Sequence, residues 1–232
     1  MLEGDHLVGV YLDRVGRPET LVVVEDRAAD SRIATLAARM PPRDVLVVRA
    51  ALFAELASVP ADVGVLAVIA TPHAQLSAPA RRHLLLDDLQ DPGNVGTILR
   101  TAAAAGVTQV LMSKHCAFAW SPKALRAGQG AHFLTAIAED VDLARWAGDF
   151  RARGGAVVAT TARDAVDLYA AEVREPWAVA IGNEGGGLSP ALLAAATTRV
   201  AIPMPGGTES LNAAAAAAVV LFELVRRRRG AS

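Results

Sequence analysis

The segment 89–100 combines side chains that can bind a phosphate or a hydroxyl group. It reads Leu-Gln-Asp-Pro-Gly-Asn-Val-Gly-Thr-Ile-Leu-Arg and offers the amide of Asn94 and the guanidinium of Arg100. An amide donates and accepts hydrogen bonds, and a guanidinium donates in a fixed fork that matches a phosphate. The same residues also predict a turn that leads into a helix, with Asn94 as its N-cap and Arg100 on its solvated face. Spacing alone favours this structural interpretation.

A second segment, 181–190, is rich in glycine and reads Ile-Gly-Asn-Glu-Gly-Gly-Gly-Leu-Ser-Pro. Consecutive glycines let a backbone approach a ligand closely, and Ser189 before Pro190 is typical of a helix start. The segment lacks the Gly-Lys-Ser/Thr of a P-loop and the Gly-x-Gly-x-x-Gly of a dinucleotide fold. A nucleoside held by backbone groups and a plain glycine-rich surface loop are both compatible with it.

A third segment, 202–212, reads Ile-Pro-Met-Pro-Gly-Gly-Thr-Glu-Ser-Leu-Asn and precedes a run of six alanines. We expect Ser210 to cap the alanine-rich helix and Asn212 to lie in its first turn. An amide there, beside backbone N–H groups without helical partners, can orient a ligand. None of the three segments identifies a function by itself.

The elements around these segments predict an α/β domain. Continuous apolar runs typical of parallel strands occupy five stretches: His83–Leu86, Gln109–Met112, Ala156–Thr160, Trp177–Ile181 and Val200–Ile202. Helical stretches lie between or after them, at Val95–Ala105, Lys123–Ala127, Leu143–Arg153, Pro190–Ala196 and Leu211–Arg229. In such sheets ligands bind beyond the carboxyl ends of the strands, which is where the three segments fall.

The first third of the chain predicts a smaller α/β unit that ends near Ala70. Its helices and strands are expected at His6–Val15, Thr20–Val24, Ile33–Arg39, Val45–Val48, Leu52–Ala57 and Val63–Ile69. The stretch Thr71–Arg81 has no periodicity, contains two prolines and is typical of a linker.

Composition excludes several classes of protein. The 232 residues are 53% hydrophobic and 20% charged, with a net charge of −1, so neither a disordered chain nor a strongly basic nucleic-acid binder is expected. Acidic residues outnumber basic residues in the segment 1–79. Cys116 is the only cysteine, which excludes an intrachain disulfide and a cysteine-rich zinc site. Neither a transmembrane stretch nor a signal peptide is predicted, so we expect a cytoplasmic protein without a membrane partner.

Taken together and in this order, the three segments closely resemble the three sequence motifs of the SpoU/TrmH family of RNA ribose 2'-O-methyltransferases, within the SPOUT superfamily. The segment 123–133, Lys-Ala-Leu-Arg-Ala-Gly-Gln-Gly-Ala-His-Phe, is similar to a further stretch common in that family. The resemblance covers about residues 80–229. Residues 1–72 resemble the family's small substrate-binding domain.

The resemblance implies a SPOUT-type parallel sheet with a C-terminal trefoil knot, a homodimer, S-adenosylmethionine as cofactor, and rRNA or tRNA as substrate. It implies an RNA-binding domain over residues 1–72 and a catalytic domain over residues 80–229. The cofactor residues it implies are Thr160, Gly182, Asn183, Ile202, Met204 and Leu211. The functional polar residues it implies are Asn94, Arg100, Glu184, Ser210 and Asn212.

The implied reaction moves a methyl group to a ribose 2'-hydroxyl, which is not ionised at neutral pH, so it needs alignment and a proton acceptor. Arg100 accepts protons poorly, and we interpret it as a clamp on an RNA phosphate, with that phosphate or water helping to take the proton. Asn94 and Asn212 would hold Arg100 or the ribose, Glu184 would orient cationic groups, and Ser210 would support its loop.

RNA contacts are expected from basic side chains at a few places in the second half. These are Arg81, Arg82, Lys114, Lys123, Arg126 and Arg226–Arg229. Neither a metal nor DNA is expected to bind. Two alternatives stay open from the residues: a Rossmann-type enzyme that binds a dinucleotide, and an RNA-binding scaffold without activity.

Overall fold

A computed structural model of the chain describes residues 1–58, 63–72 and 80–230, which form two β-sheets and the helices packed on them. The amino-terminal elements are β1 (Leu2–Glu3), α1 (Asp5–Arg14), β2 (Thr20–Val24), α2 (Ser31–Ala37), β3 (Val45–Val48), α3 (Ala50–Leu56) and β4 (Val65–Val68). The later elements are β5 (Arg82–Asp87), α4 (Pro92–Ala104), β6 (Gln109–Met112), α5 (Pro122–Gly128), β7 (Ala136–Ala138), α6 (Leu143–Ala152), β8 (Ala156–Thr160), β9 (Val166–Asp167), β10 (Trp177–Gly182), α7 (Pro190–Ala195), β11 (Thr198–Ala201) and α8 (Ala213–Gly230). Most of the predicted linker, residues 73–79, lies outside the described residues.

The amino-terminal sheet has the strand order β1-β4-β2-β3. Strands β2 and β3 run parallel, whereas β4 is antiparallel to both β1 and β2. Val22 and Val24 pack with Phe53 and Leu66 in a buried cluster beneath α3. The predicted alternation of helices and strands is present here. Among the strands and α-helices of the described amino-terminal residues, β1 alone is not predicted, because two residues show no periodicity.

The second sheet has seven strands in the order β7-β6-β5-β10-β8-β11-β9, and every neighbouring pair is parallel. The prediction of an α/β fold with a parallel sheet is therefore confirmed. Strands β7 and β9 were not predicted, since three and two residues at the sheet edges carry no long apolar run.

Both faces of the parallel sheet are covered. One face packs against α4 and α8 through side chains such as Ile98, Leu99 and Leu221. The other face packs against α6 and α7, where Phe150 and Leu192 are buried. Because both faces lie in hydrophobic cores, a ligand site has to form at an edge of the sheet, from the loops after the strands and the helices that follow them.

The helix α5 joins the two sheets. Arg126 on α5 donates a hydrogen bond to the buried carboxylate of Glu3 (2.9 Å) and another to Ser58 Oγ (2.8 Å). Nearby, the rings of Tyr11 and Phe133 meet edge to face with centroids 5.2 Å apart. One hydrophobic cluster continues from the amino-terminal sheet into the parallel sheet. The bounds 1–72 and 80–229 stay predictions.

Within the described ranges, no helix has the length and apolar composition needed to cross a bilayer. The same ranges hold no group of three histidine, cysteine, aspartate or glutamate side chains placed to bind a metal ion.

Candidate active site

The strand order brings the three segments of interest to one edge of the sheet. Strands β5, β10, β8 and β11 are consecutive neighbours and point the same way. The segments that follow β5, β10 and β11 therefore leave the sheet at the same carboxyl edge, although more than a hundred residues separate the first from the last. This edge is where the candidate site lies.

The start of α4 differs from the sequence prediction. Asp91, and not Asn94, is the N-cap, because Asp91 Oδ1 accepts a hydrogen bond from the backbone N–H of Asn94 at 2.8 Å. Pro92 occupies the first helical position, where its missing N–H costs nothing. The amide of Asn94 is consequently free to reach other loops.

The glycine-rich segment after β10 forms a compact turn held by Asn183. Its Oδ1 accepts hydrogen bonds from the N–H groups of Gly185 (2.8 Å) and Gly186 (2.9 Å), and its Nδ2 donates to the carbonyl of Asp88 (2.8 Å). A Cβ on Gly182 would stand 2.3 Å from the carbonyl carbon of Gly187. The turn's own packing thus requires a glycine at 182, and Asn183 ties this loop to the one after β5.

The start of α8 also differs from the prediction. Asn212 is the capping residue, since its Oδ1 accepts from the N–H groups of Ala214 (2.9 Å) and Ala215 (3.4 Å). Ser210 was expected there, but the helix begins at Ala213, so Ser210 stands too far before its first turn. Leu211 likewise precedes the helix. The Ser210 hydroxyl makes no hydrogen bond to any residue the structure describes.

Three of the predicted polar residues meet in one hydrogen-bonded chain. Asn94 Nδ2 donates to Glu184 Oε1 at 2.5 Å, and Asn212 Nδ2 donates to Asn94 Oδ1 at 3.1 Å. Each residue comes from a different segment, and Asn94 is central because its amide bonds to both partners. The side chains are exposed or half-buried, so the chain of hydrogen bonds faces solvent. It offers a carboxylate and amide groups to a ligand at this edge.

Arg100 is on the same helix as Asn94 but outside this network. It lies six residues further along α4, which is about 9 Å along the helix axis. Its side chain is exposed, and within the described part of the chain its guanidinium makes neither a hydrogen bond nor an ion pair. The structure leaves this cation available to an anionic partner.

The predicted cofactor residues lie around the ends of β8, β10 and β11. Thr160 ends β8 and donates from Oγ1 to the carbonyl of Ala180 at 2.9 Å. Ile202, Met204 and Leu211 are half-buried in the segment between β11 and α8.

Backbone groups in this segment are largely free of internal partners. Among the described residues, the stretch 202–211 makes a single backbone–backbone hydrogen bond, from Gly207 N–H to the carbonyl of Met204. Unpaired peptide groups can form hydrogen bonds with the edge of a heterocyclic base, and partly exposed apolar side chains can pack against its face. The residues therefore fit an adenosyl group, and the carboxylate of Glu184 lies exposed at the same edge of the sheet.

The basic residues predicted to contact RNA are mostly engaged within the protein. Lys123 Nζ lies 2.6 Å from Asp91 Oδ2, and Arg126 is bonded to Glu3 at the junction of the two sheets. Arg81 and Arg82 pair with Glu175 at 3.1 and 2.7 Å. That pair of arginines stands at the start of β5, on the edge of the sheet opposite the candidate site.

The remaining predicted RNA contacts are dispersed. Arg226 and Arg227 both bind the carboxylate of Glu223 near the end of α8, while Lys114 is exposed after β6. The side chain of Arg229 lies outside the described residues.

Two aspartates outside the predicted set of site residues support the site. Asp91 uses one carboxylate oxygen for Asn94 N–H and the other for Lys123, and the bond from Lys123, followed by that from Asn94, holds the pKa of Asp91 below its usual range. Asp87, buried at the end of β5, accepts from Ser189 N–H at 2.8 Å and so attaches the start of α7 to β5. An aspartate directly before proline is the signal that could have identified the cap at Asp91.

Comparison with known proteins agrees with this arrangement. The sequence profile described as the SpoU rRNA Methylase family matches residues 81–222. The 23S rRNA (guanosine(2553)-2'-O)-methyltransferase RlmP of Bacillus subtilis (strain 168) is 32% identical over 225 residues, which span 97% of this chain and 87% of that protein.

Solved structures with the same fold include cofactor complexes. The SpoU methyltransferase AviRb from Streptomyces viridochromogenes, in complex with AdoMet, matches with a TM-score of 0.86 and 27% identity over 98% of this chain and 89% of that one. An AdoMet-bound rRNA methyltransferase from Sinorhizobium meliloti matches with a TM-score of 0.75 and 30% identity, covering 97% and 86%. The family match spans well over half of the chain and includes all three segments of the site. This chain belongs to the SpoU rRNA methylase family.

Proposed function

We propose that this protein is an S-adenosylmethionine-dependent methyltransferase that modifies a ribose 2'-hydroxyl in rRNA or tRNA. The observation that carries the proposal is the hydrogen-bonded chain of Asn94, Glu184 and Asn212, assembled from three segments at one edge of the parallel sheet. The relatives named above methylate 23S rRNA at a 2'-oxygen or bind AdoMet by name, which supports both the reaction and the cofactor.

The cofactor would be held by peptide groups and partly exposed apolar side chains at the ends of β8, β10 and β11. The residues concerned are Thr160, Gly182, Asn183, Ile202, Met204 and Leu211. When bound, S-adenosylmethionine supplies an electrophilic methyl group on a positively charged sulfur. Asn183 acts indirectly, because its side chain is used to shape the turn that carries Glu184.

Arg100 would bind an RNA phosphate next to the target ribose. Its guanidinium is exposed, unpaired within the described residues and carried by the helix that begins at the site. A guanidinium forms two parallel hydrogen bonds with a phosphate and stays protonated at neutral pH, so it aligns the nucleotide and does not take the proton. The phosphate or a water molecule accepts the 2'-hydroxyl proton.

The amides orient the ribose once the phosphate is fixed. Asn94 and Asn212 present a donor and acceptor pair that is already hydrogen-bonded, so little ordering is needed when the substrate arrives. Glu184 accepts a hydrogen bond from Asn94, and its carboxylate would stabilise a positively charged group at the site. Ser210 lies in the exposed loop before α8, and the family resemblance assigns it a supporting role in that loop.

The family resemblance further leads us to propose a trefoil knot, a homodimer and a cytoplasmic location. The observation that supports the knot is the strand order, in which β10 lies between the earlier strands β5 and β8. The exposed Phe222 on α8 supports an apolar contact between copies. Residues 1–72 would act as an RNA-binding domain, with Arg81, Arg82 and Arg126 as further cationic positions near the RNA.

Methyl transfer to defined RNA tests the proposal. The purified protein is incubated with methyl-labelled S-adenosylmethionine and unmodified transcripts of 23S rRNA or tRNA, and the label is then located by nucleoside analysis. We expect a 2'-O-methylnucleoside in one RNA class and none with heat-inactivated protein. Label on a base would contradict the proposed reaction. Binding of the cofactor without any transfer would favour a non-catalytic RNA-binding protein, and calorimetric binding of NAD in its place would favour a dinucleotide enzyme.

A further inference from the structure

Lys123 lies beside the candidate site without belonging to its hydrogen-bonded network. Its Nζ is 2.6 Å from Asp91 Oδ2, while the other oxygen of the same carboxylate caps α4 through Asn94 N–H. One carboxylate therefore connects Lys123 to the backbone of the central residue of the network. The sequence predicts Lys123 as an RNA contact, whereas in the structure it is paired with the carboxylate that caps α4.

The stem of Lys123 runs across the first turn of α4. A Cβ on Gly93 would stand 3.2 Å from Lys123 Cε and 2.8 Å from Asp91 Oδ1, so a side chain at 93 would crowd both partners of the ion pair. Glycine at this position thus leaves room for the lysine to reach the carboxylate over the helix start.

The backbone that carries Lys123 is fixed against α4. A Cβ on Gly96 would lie only 2.2 Å from the carbonyl oxygen of Ala124, which shows that α4 and α5 touch backbone to backbone next to Lys123. Ser121 caps α5 through the N–H of Ala124. A short, capped helix packed against α4 therefore places the lysine next to Asp91.

We propose that Lys123 is a positioning residue, which fixes Asp91 and through it the placement of Asn94 relative to Glu184 and Asn212. This inference rests on the proposed function. Lys123 orients Asp91 Oδ2, Asp91 Oδ1 then fixes the N–H of Asn94, and the amide of Asn94 meets its two partners at the site. Both side chains of the ion pair are roughly half exposed, so the pair adds little to global stability. Its effect falls on the rate of the chemical step.

Two substitutions separate this role from contact with RNA. Lys123→Met keeps the apolar stem and removes the charge, and Asp91→Asn keeps a capping oxygen but removes the ion pair. We expect each variant to lower the single-turnover rate by about fivefold while the KM for RNA stays within about twofold of the wild type. The double variant should lose no more than either single one, because both changes break the same contact. Lys123→Arg should restore most of the rate.

Arg145→Met serves as a control, because it removes an exposed cation from α6, which packs on the opposite face of the sheet from α4. It should change neither the rate nor KM. A Lys123→Met variant with a raised KM for RNA beside an unaffected Asp91→Asn variant would overturn the proposal and assign Lys123 to a phosphate. The proposal would also be overturned if the loss of rate in the double variant equalled the product of the two single losses. Single variants with wild-type rates would overturn it as well.

A second measurement is independent of activity. The backbone N–H of Asn94 should shift in nitrogen-15 spectra of both Lys123→Met and Asp91→Asn, whereas Arg145→Met should leave it unchanged. An unchanged Asn94 signal in Lys123→Met contradicts the positioning role even if the protein methylates RNA. A wild-type protein without methyl transfer contradicts the proposed function alone, since the spectra still test the link from Lys123 to Asn94.

Discussion

The two edges of the parallel sheet use polar side chains in opposite ways. At the amino edge, Arg81 and Arg82 share the carboxylate of Glu175 at 3.1 and 2.7 Å, so cations and anion neutralise each other. At the carboxyl edge, Asn94 is bonded to Glu184 and Asn212, and the guanidinium of Arg100, further along the same helix, has no protein partner among the described residues.

This difference distinguishes side chains that stabilise the fold from those that are available to a ligand. A paired arginine that shares its carboxylate must give up part of an existing bond before it binds a phosphate. An unpaired arginine has no such cost. Bulk charge does not reveal this, since arginines are present at both edges. The pairing of each arginine decides its role.

The largest expected effect is at the carboxyl edge. Arg100→Ala should lower the single-turnover rate of RNA methylation by roughly 10²- to 10³-fold, because the clamp that aligns the ribose is lost. Arg100→Lys should recover little of this, since an ammonium lacks the two-pronged geometry. Rapid-quench kinetics at saturating cofactor measure the rate. Near-full activity of Arg100→Lys would show that a bidentate clamp is not needed.

A steric change at the start of α4 should affect folding. Gly96→Ala places a Cβ 2.2 Å from the Ala124 carbonyl and should cost about 2–3 kcal/mol of unfolding free energy, because two backbones have to separate. Gly148→Ala is the matched control: nothing lies within 4 Å of the added atom, and alanine in the α6 interior should stabilise by about 0.5–1 kcal/mol. Urea unfolding measures both, and equal effects would refute the close contact of α4 with α5.

The buried carboxylate near the end of α8 should give a pH-dependent contribution. Hydrogen bonds from Arg226, and further bonds from Arg227, lower the pKa of Glu223 to about 2. A lowered folded-state pKa stabilises the protein above the unfolded value near 4.5 and loses that stabilisation as the pH falls toward 2.

Glu223→Gln should therefore be less stable than the wild type by about 2 kcal/mol at pH 7, and the gap should narrow between pH 4.5 and pH 2. Urea unfolding at pH 7, 4 and 3 measures it. A gap that does not change with pH would mean that the charge of Glu223 has no part in stability.

The smallest expected effect is at the amino edge. Arg81→Ala should raise the KM for RNA by about twofold at low salt and leave kcat unchanged, because an exposed arginine far from the site adds only a weak, screened attraction. Steady-state kinetics at two salt concentrations measure this. A loss of kcat as large as that of Arg100→Ala would remove the contrast between the two edges.

The sequence predicts the long elements of the fold but not the short ones. Continuous apolar runs such as Ala156–Thr160 become strands with the predicted bounds, since burial on both faces leaves a strong signal. Strands β1 and β9 have two residues each and exist only because a neighbouring strand offers hydrogen bonds.

The candidate site shows the same division between local and tertiary information. The family motifs identify Asn94, Glu184 and Asn212 as candidate site residues, but composition and spacing do not show that these side chains are in contact. The caps were misassigned to Asn94 and Ser210, because several residues near each helix start can act as caps and the helix start decides which one does. The pairs of Lys123 with Asp91 and of Arg126 with Glu3 depend on packing between distant segments, which no local pattern encodes.

Hydrogen–deuterium exchange with and without S-adenosylmethionine tests most directly whether the carboxyl edge is the functional one. We expect S-adenosylmethionine to protect backbone amides in residues 182–188 and 202–212 and to leave exchange around Arg81, Arg82 and Glu175 unchanged. Protection centred on the amino edge, or no protection anywhere at saturating cofactor, would contradict it.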